Sequence, residues 1–156
     1  MDKLYNKPAG LRVMIVDDDT DHLWLTGEAL GDSQIVRDIQ QATTAEEALA
    51  NITPRIQANC DAGPDVMFLD IEMPGMGGMK LLDLIKSDPQ LRNIMVIIVS
   101  GHGETDLYRT EAIKKGADDF VEKSRDVLEM TRNLQQSLRH CAATLSCRRI
   151  QEDVRG

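Results

Sequence analysis

The sequence predicts a three-layer α/β fold in which a parallel five-stranded sheet lies between two layers of helices. Five short apolar runs alternate along the chain with five segments of helical periodicity. Strands that alternate with helices pair in parallel through right-handed crossovers. The length of 156 residues suits one domain with a substantial core, and 42% hydrophobic with 28% charged residues is typical of a globular chain.

Composition restricts the classes of partner. The net charge of −8 argues against a general nucleic-acid-binding surface, which rests on basic patches, so we expect no direct contact with nucleic acid. No apolar stretch approaches membrane-spanning length, and the N-terminus is too short and polar for a signal peptide. Cys60, Cys141 and Cys147 form no CxxC pair, which indicates free thiols. We therefore expect a cytoplasmic protein without a membrane partner.

The first apolar run, Leu11–Val16, predicts the first strand. A helix is expected over residues 20–30, because helical periodicity follows a cluster of capping residues. Thr20 or Asp21 is its predicted N-cap, and Gly31 is its stop signal.

The second strand is predicted at residues 34–39, where a weaker and more polar run suits an edge of the sheet. The second helix begins near Thr44, because Thr44 and Glu47 have the spacing of a capping box. Pro54 interrupts its pattern and is predicted to start a further helical turn. Residues 55–64 are then either an extended second helix or an elaborated loop, and the sequence leaves both open.

The third strand is predicted at residues 65–69 and leads directly into Asp70. The third helix covers residues 79–86 and is broken by Pro89 shortly after its end. Residues 94–99 form an almost unbroken apolar run rich in β-branched side chains. Such a run predicts a fourth strand that is central and buried on both faces.

The fourth helix is predicted at residues 104–115 and is closed by Gly116 in the left-handed cap position. The fifth strand follows at residues 118–121, and the fifth helix begins near Ser124. This last helix either packs on the core and frays after Arg139, or runs on past the globular body and pairs with a partner. Both remain open, because its four-three spacing includes two polar members: Val127, Thr131, Leu134, Leu138, Cys141, Leu145 and Arg148.

Polar side chains that carry chemistry follow four of the predicted strands. Since the carboxyl ends of parallel strands meet at one edge of a sheet, these side chains should converge. Three carboxylates close together repel and would not readily all stay ionised without a cation, and hard oxygen ligands suit Mg²⁺ or Mn²⁺. A hydroxyl and an ammonium can bind the oxygens of a transferring phosphoryl group, which a carboxylate can accept. The residues are Asp17, Asp18, Asp70, Ser100 and Lys123.

These motifs, in this order, resemble the response-regulator receiver domain, the phospho-acceptor module of two-component signalling. They are the acidic pair at 17–18, Asp70 with residues 73–76, Ser100, and residues 116–123. The resemblance implies a flavodoxin-like (βα)5 fold with strand order 2-1-3-4-5. It covers residues 11–139 as a receiver domain, which leaves 1–10 as an N-terminal extension and 140–156 as a C-terminal helical extension or linker.

The resemblance also implies a set of metal ligands. Asp18 would bind Mg²⁺ directly, Asp17 would bind it directly or through water, and Asp70 and the backbone carbonyl of Glu72 would complete the set. The run of three aspartates leaves the register to be decided. Because Val16 ends the apolar run, Asp17 with Asp18 is the favoured pair over Asp18 with Asp19, and Asp19 would face solvent or help to cap the first helix.

The implied function is a signalling switch rather than an enzyme. Asp70 would accept a phosphoryl group from a phosphohistidine on a kinase or phosphotransfer protein. Lys123 and Ser100 would bind phosphoryl oxygens, and Phe120 would be the aromatic switch residue, so that the face formed by the fourth helix, fifth strand and fifth helix changes. That face would control a downstream protein or an output domain, or the output would be a homodimer formed through that face or through the C-terminal helix.

Two features remain outside this assignment. Ser124 stands where the family usually has a proline after the lysine, which leaves a cis peptide bond improbable there. Glu72 and His102 flank the site and either adjust the lifetime of the acyl phosphate or are ordinary exposed loop residues.

The alternative function is an aspartyl phosphohydrolase that acts on small substrates. Such enzymes need a second acid–base group beside the nucleophile, commonly as DxDxT. The residues after Asp70 do not provide this motif, so the signalling function is favoured.

Overall fold

The protein is a three-layer α/β sandwich in a computed structural model that describes residues 10–58, 63–101 and 105–155. Five strands form its sheet: β1 (Leu11–Val16), β2 (Val36–Ala42), β3 (Val66–Asp70), β4 (Met95–Ser100) and β5 (Asp119–Glu122). Five helices flank this sheet: α1 (Thr20–Gly31), α2 (Ala45–Ala58), α3 (Gly78–Ser87), α4 (Thr105–Lys114) and α5 (Val127–Arg155).

All strand pairs are parallel, and their order is β2-β1-β3-β4-β5. The predicted fold class and strand order are therefore confirmed. Every residue of β3 and β4 is buried, as expected for inner strands covered on both faces. The edge strand β2 keeps most of its side chains at least partly exposed, which explains its weak apolar pattern.

The core consists of two apolar layers, one on each face of the sheet. Successive side chains of a strand point to opposite faces, so Met14 and Val16 enter one layer while Val13 and Ile15 enter the other. Helices α2, α3 and α4 cover the first layer, and α1 and α5 cover the second. The sheet is thus fixed from both sides, and its carboxyl edge is left for the polar residues.

The N-cap of α1 is Asp19, which confirms the capping role expected for Asp19, and the predicted caps Thr20 and Asp21 are wrong. The Asp19 carboxylate accepts the backbone N–H groups of Asp21 at 2.9 Å and His22 at 3.5 Å. Thr20 and Asp21 instead lie inside the first turn. Three adjacent residues with capping side chains made the choice ambiguous in the sequence, and only the backbone geometry decides it.

The capping pattern of α2 is partly as predicted. The Thr44 hydroxyl accepts the Glu47 N–H at 3.0 Å, whereas the Glu47 carboxylate reaches Thr43 rather than Thr44. Pro54 does not begin a separate turn, because α2 continues through it to Ala58.

Tertiary packing explains how α2 passes its proline. Ile52 and Ile56 are buried on either side of Pro54, and this packing offsets the hydrogen bond that a proline cannot donate. Residues 55–64 were expected to form either an extended second helix or an elaborated loop, and the helix is confirmed up to Ala58. Cys60 lies outside the described residues.

Helix α4 ends at Lys114 and, as predicted, is closed by Gly116, which has a φ of +101°. The N–H of Gly116 donates to the carbonyl of Ile113 at 3.0 Å, and that of Ala117 donates to Ala112 at 2.9 Å. This pair of bonds is a Schellman motif, which needs a residue that tolerates positive φ. The following chain is thereby turned directly into β5.

Helix α5 begins at Val127, later than the predicted Ser124, because Asp126 is its cap. The Asp126 carboxylate accepts the N–H groups of Leu128 at 2.9 Å and Glu129 at 3.2 Å. The helix then runs without interruption for 29 residues to Arg155, so it does not fray after residue 139. Its buried face extends to Cys141, and Leu145 still packs on the core.

Cys141 and Cys147 are free thiols, as expected from the sequence. Within the described ranges, none of the helices combines the length and hydropathy that a membrane crossing requires.

Candidate functional site

The carboxyl edge of the sheet brings the predicted site residues together. Asp17 follows β1 directly, Asp70 is the last residue of β3, and Ser100 is the last residue of β4. Lys123 follows β5 directly, and its N–H donates to the carbonyl of Ser100 at 2.6 Å. The parallel topology therefore aligns four polar groups that are up to 106 positions apart in sequence.

Three carboxylates form the acidic part of the site. One oxygen from each of Asp17, Asp18 and Asp70 lies within 4.8 Å of the other two. Asp17 and Asp70 are only 5% and 4% exposed, whereas Asp18 is exposed. Because this cluster offers hard oxygen donors with one side open to solvent, it fits a divalent cation such as Mg²⁺.

Backbone N–H groups orient the two buried carboxylates. Oδ1 of Asp17 accepts the N–H of Asp19 at 2.9 Å, and Oδ1 of Asp70 accepts the N–H of Glu72 at 3.1 Å. Asp19 is itself occupied as the cap of α1. This arrangement favours Asp17 with Asp18 as the acidic pair, and it leaves the second oxygen of each buried carboxylate free to turn inward.

Lys123 lies between these inward oxygens. Its Nζ is 3.0 Å from Oδ2 of Asp17 and 3.4 Å from Oδ2 of Asp70. Burial alone would lower the pKa of Lys123, but the carboxylates of Asp70 and Asp17 outweigh it and raise this pKa. The amine is therefore a fixed positive charge at the centre of the acidic cluster.

Asp70 has a strongly altered acidity. Burial raises its pKa from 3.8 to about 7, and the nearby Asp17 carboxylate adds to this rise. Lys123 and the Glu72 N–H act in the opposite direction but do not cancel it. A carboxyl group whose pKa is shifted in this way at the edge of a sheet is a candidate functional group.

Ser100 is fully buried beside this cluster, and its hydroxyl has no hydrogen-bond partner among the described residues. A buried hydroxyl without a partner costs about 1–3 kcal/mol. Such a group is well placed to bind an oxygen of an incoming ligand. Its position is therefore consistent with the phosphoryl-binding role predicted from the sequence.

Phe120 is half-buried in β5 and packs against the core layer that α2, α3 and α4 cover. The guanidinium of Arg109 in α4 lies 5.1 Å from the centre of its ring. The ring thus joins α4 to β5, two of the elements that form the predicted signalling face. Glu72 is exposed, and His102 lies outside the described residues.

Two residues that support the site were missed from the sequence. A Cβ at Gly78 would lie 2.1 Å from the carbonyl oxygen of Asp70, so only glycine permits this close approach of α3. The run of glycines after Pro74 was the available signal. Glu46 in α2 accepts the N–H of Met76 at 3.2 Å and links α2 to the loop after β3, and no sequence pattern indicated this contact.

Comparisons with known proteins all indicate the same family. A family-wide sequence profile for the response regulator receiver domain matches residues 13–135. The nitrogen assimilation regulatory protein NtrX of Azorhizobium caulinodans is 36% identical over 113 residues, which are 71% of this chain and 22% of that protein. The DNA-binding transcriptional regulator NtrC of Escherichia coli is 30% identical over 140 residues, which are 89% of this chain and 27% of that protein.

Solved structures agree with this result. The receiver domain of NtrX from Brucella abortus is 32% identical, with a TM-score of 0.64 that covers 81% of this chain and 98% of that one. The phosphorylated cyanobacterial phytochrome response regulator RcpA has a TM-score of 0.72 at 24% identity, over 82% of this chain and 91% of that one, and so shows the fold alone. The chain spans about a quarter of the length of the two curated relatives.

Proposed function

The chain belongs to the family of response regulator receiver domains, and from this premise we propose that Asp70 accepts a phosphoryl group from a phosphohistidine. The donor is a histidine kinase or a histidine phosphotransfer protein. The observation that carries the proposal is the position of Lys123, whose Nζ lies within 3.4 Å of Asp70 and within 3.0 Å of Asp17. This amine can neutralise a phosphoryl group attached to Asp70.

The acidic cluster supports a role for a divalent cation. Asp17, Asp18 and Asp70, together with the backbone carbonyl of Glu72, would hold Mg²⁺ or Mn²⁺. When bound, the cation would stabilise the negative charge on the phosphoryl oxygens. The Glu72 N–H holds Oδ1 of Asp70, which leaves Oδ2 as the oxygen that faces Lys123 and can attack phosphorus.

Ser100 and Phe120 would convert the modification into a change of surface. The Ser100 hydroxyl has no partner in the described structure, so it can move to bind a phosphoryl oxygen. Phe120 would then pack further inward and release its contact with Arg109 in α4. The face of α4, β5 and α5 would change accordingly, and a downstream protein or output domain would respond to it.

The partners follow from this role. A kinase or phosphotransfer protein supplies the phosphoryl group, and the output is a downstream protein, an output domain, or a homodimer formed through the α4–β5–α5 face or through the C-terminal part of α5. NtrC is described as a DNA-binding transcriptional regulator. For the receiver chain itself, with its net charge of −8, we propose no direct contact with nucleic acid.

The test is covalent labelling of the purified chain with Mg²⁺ and a small-molecule phosphodonor, followed by intact mass and peptide mapping. We expect one phosphoryl group on Asp70, none in Asp70→Asn, and unchanged labelling in Asp83→Asn, an exposed aspartate of α3. Labelling that survives in Asp70→Asn would contradict the proposal. The alternative, an aspartyl phosphohydrolase, is supported by neither the family nor the relatives, and it predicts many turnovers of a generic phosphatase substrate.

A further inference from the structure

A second concave feature lies beside the phosphoryl site. It is a cavity of about 420 Å³ between α1 and the start of α5. This volume lies in the range of pockets that bind small molecules. Its walls come from α1, the residue after β4 and the segment after β5, and include Leu25, Thr26, Gly101, Lys123, Val127 and Met130.

The pocket has an apolar base and a cationic edge. Leu25, Val127 and Met130 supply the apolar surface, while Lys123 and Arg125 supply positive charge. Lys123 is paired with Asp17 and Asp70, so Arg125 supplies the additional positive charge beside the pocket. This combination suits a ligand with an apolar body and an anionic end.

The pocket adjoins the phosphoryl site and shares Lys123 with it. Lys123 lines the pocket and also contacts Asp70, and Gly101 lines it directly after Ser100. A molecule whose phosphoryl group approaches Asp70 therefore has its remaining atoms next to the pocket. An apolar substituent on that molecule would be removed from water there, which is favourable by roughly 25 cal/mol per Å² of apolar surface buried.

Ser124, which replaces the usual proline, holds the wall of this pocket in place. Its N–H donates to Sδ of Met130 at 3.5 Å, a bond that a proline cannot form. Its hydroxyl donates to the Glu129 carboxylate at 3.0 Å and accepts the N–H of Asp126 at 3.1 Å. The pocket is thus tied to a residue in which this chain departs from the family pattern.

We propose that this pocket binds the apolar acyl group of a small-molecule acyl phosphate and so selects donors with a large apolar substituent. The inference rests on the proposed function of Asp70. In the transfer, an oxygen of Asp70 forms a bond to phosphorus while the bond between phosphorus and the acyl oxygen breaks. The electron pair leaves with that oxygen, and the donor departs as a carboxylate beside Lys123 and Arg125, with no proton or redox partner required.

The test compares benzoyl phosphate with acetyl phosphate as donors, with Mg²⁺ present and phosphorylation followed by intact mass. The measured quantity is the rate constant for labelling by benzoyl phosphate divided by that for acetyl phosphate. We expect this ratio to be about tenfold lower in Val127→Ser than in the parent, because a lost apolar contact in a pocket is worth 10-fold or more. Leu128→Ser is the matched control, since Leu128 is the next residue of α5, is 70% exposed and does not line the pocket. Comparing this ratio between variants cancels the intrinsic reactivity of each donor.

Binding is measured separately with benzoylphosphonate, whose phosphorus–carbon bond cannot transfer. Calorimetry with Mg²⁺ should show affinity that falls about tenfold in Val127→Ser and stays unchanged in Leu128→Ser. Equal effects of the two variants on the ratio and on the affinity would overturn the inference and leave the proposed function intact. Failure of both donors to label the parent would overturn the proposed function and the inference together.

Discussion

The hydroxyl of Ser137 donates a hydrogen bond of 2.5 Å to Oδ2 of Asp119, which ties the middle of α5 to the first residue of β5. Oδ1 of the same carboxylate accepts the N–H of Phe120 at 2.8 Å. Ser137 is buried, so this bond is shielded from competition by water. The position of Phe120 is therefore fixed in part by a polar contact to α5.

We expect Ser137→Ala to lower the free energy of unfolding by about 1–2 kcal/mol, because the Asp119 carboxylate loses a buried partner. Urea denaturation measures this change. Ser146→Ala is the control, since Ser146 is exposed on the same helix, and it should shift stability by less than about 0.5 kcal/mol. An equal effect of both substitutions would show that the bond contributes nothing specific.

The raised pKa of Asp70 predicts a pH dependence of stability in the metal-free protein. Between its ordinary value of 3.8 and the folded value of about 7, the unfolded chain loses the Asp70 proton while the folded chain keeps it. The contribution of Asp70 to the free energy of unfolding is therefore greatest below pH 3.8 and decreases as the pH rises to about 7. We expect a loss on the order of 2–4 kcal/mol relative to Asp70→Asn.

Denaturation of the parent and of Asp70→Asn at several pH values, with a chelator present, measures this difference. Asp83→Asn, which removes an exposed carboxylate, should keep the parental pH profile. Addition of Mg²⁺ should lower the pKa of Asp70, because a nearby cation favours the ionised carboxylate. A difference between parent and Asp70→Asn that is constant from pH 4 to pH 7 would contradict the raised pKa.

Gly78→Ala should damage the site directly. The added Cβ would lie 2.1 Å from the carbonyl oxygen of Asp70, so α3 or the end of β3 must shift. We expect a loss of about 1–3 kcal/mol in stability and slower labelling of Asp70. In the control Gly31→Ala the added Cβ has no neighbour within 4 Å, and this variant should be neutral or more stable. Parental labelling by Gly78→Ala would refute the close approach.

An ion pair at the opposite edge of the sheet, whose side chains are 14% and 15% exposed, should contribute more to stability than a more exposed surface pair. Nζ of Lys86 lies 2.9 Å from Oδ2 of Asp118 and also donates to the carbonyl of Ile94 at 2.7 Å. We expect Lys86→Ala to cost about 2 kcal/mol, because Asp118 loses its near cation and keeps the more distant guanidinium of Arg148, at 3.9 Å.

The surface pair of Lys115 with Asp83, at 3.4 Å, supplies the comparison. Lys115→Ala should cost less than about 1 kcal/mol, since that pair is solvated. Thermal denaturation of the two variants gives the ranking. Similar losses in both would show that the burial of Lys86 does not govern its contribution.

The sheet and the convergence of the site were predictable because both depend on the positions where apolar runs end. Asp17, Asp70 and Lys123 each stand at such an end, and the parallel arrangement of the strands brings these ends to one edge of the sheet. The cap of α1 was predictable only as one of three neighbouring residues with suitable side chains, Asp19, Thr20 and Asp21, and backbone geometry selects Asp19.

Features that depend on tertiary contacts could also not be predicted from the sequence. Pro54 signals a break in local terms, yet buried neighbours carry α2 through it. The contact of Ser124 with Met130 depends on the three-dimensional path after β5. The serine at position 124, where the family usually has a proline, was visible in the sequence. The contact between the N–H of Ser124 and the sulfur of Met130 was not.

The length of α5 gives the protein a mechanical property. The helix measures about 43 Å, and the segment from Leu145, where core contacts end, to Arg155 accounts for about 15 Å of it. A rotation of the packed half by only about 10° would displace the far end by about 2.6 Å, by simple leverage over that length. A small rotation of the packed part of α5, too small to disturb the core, would therefore become a larger displacement at Arg155.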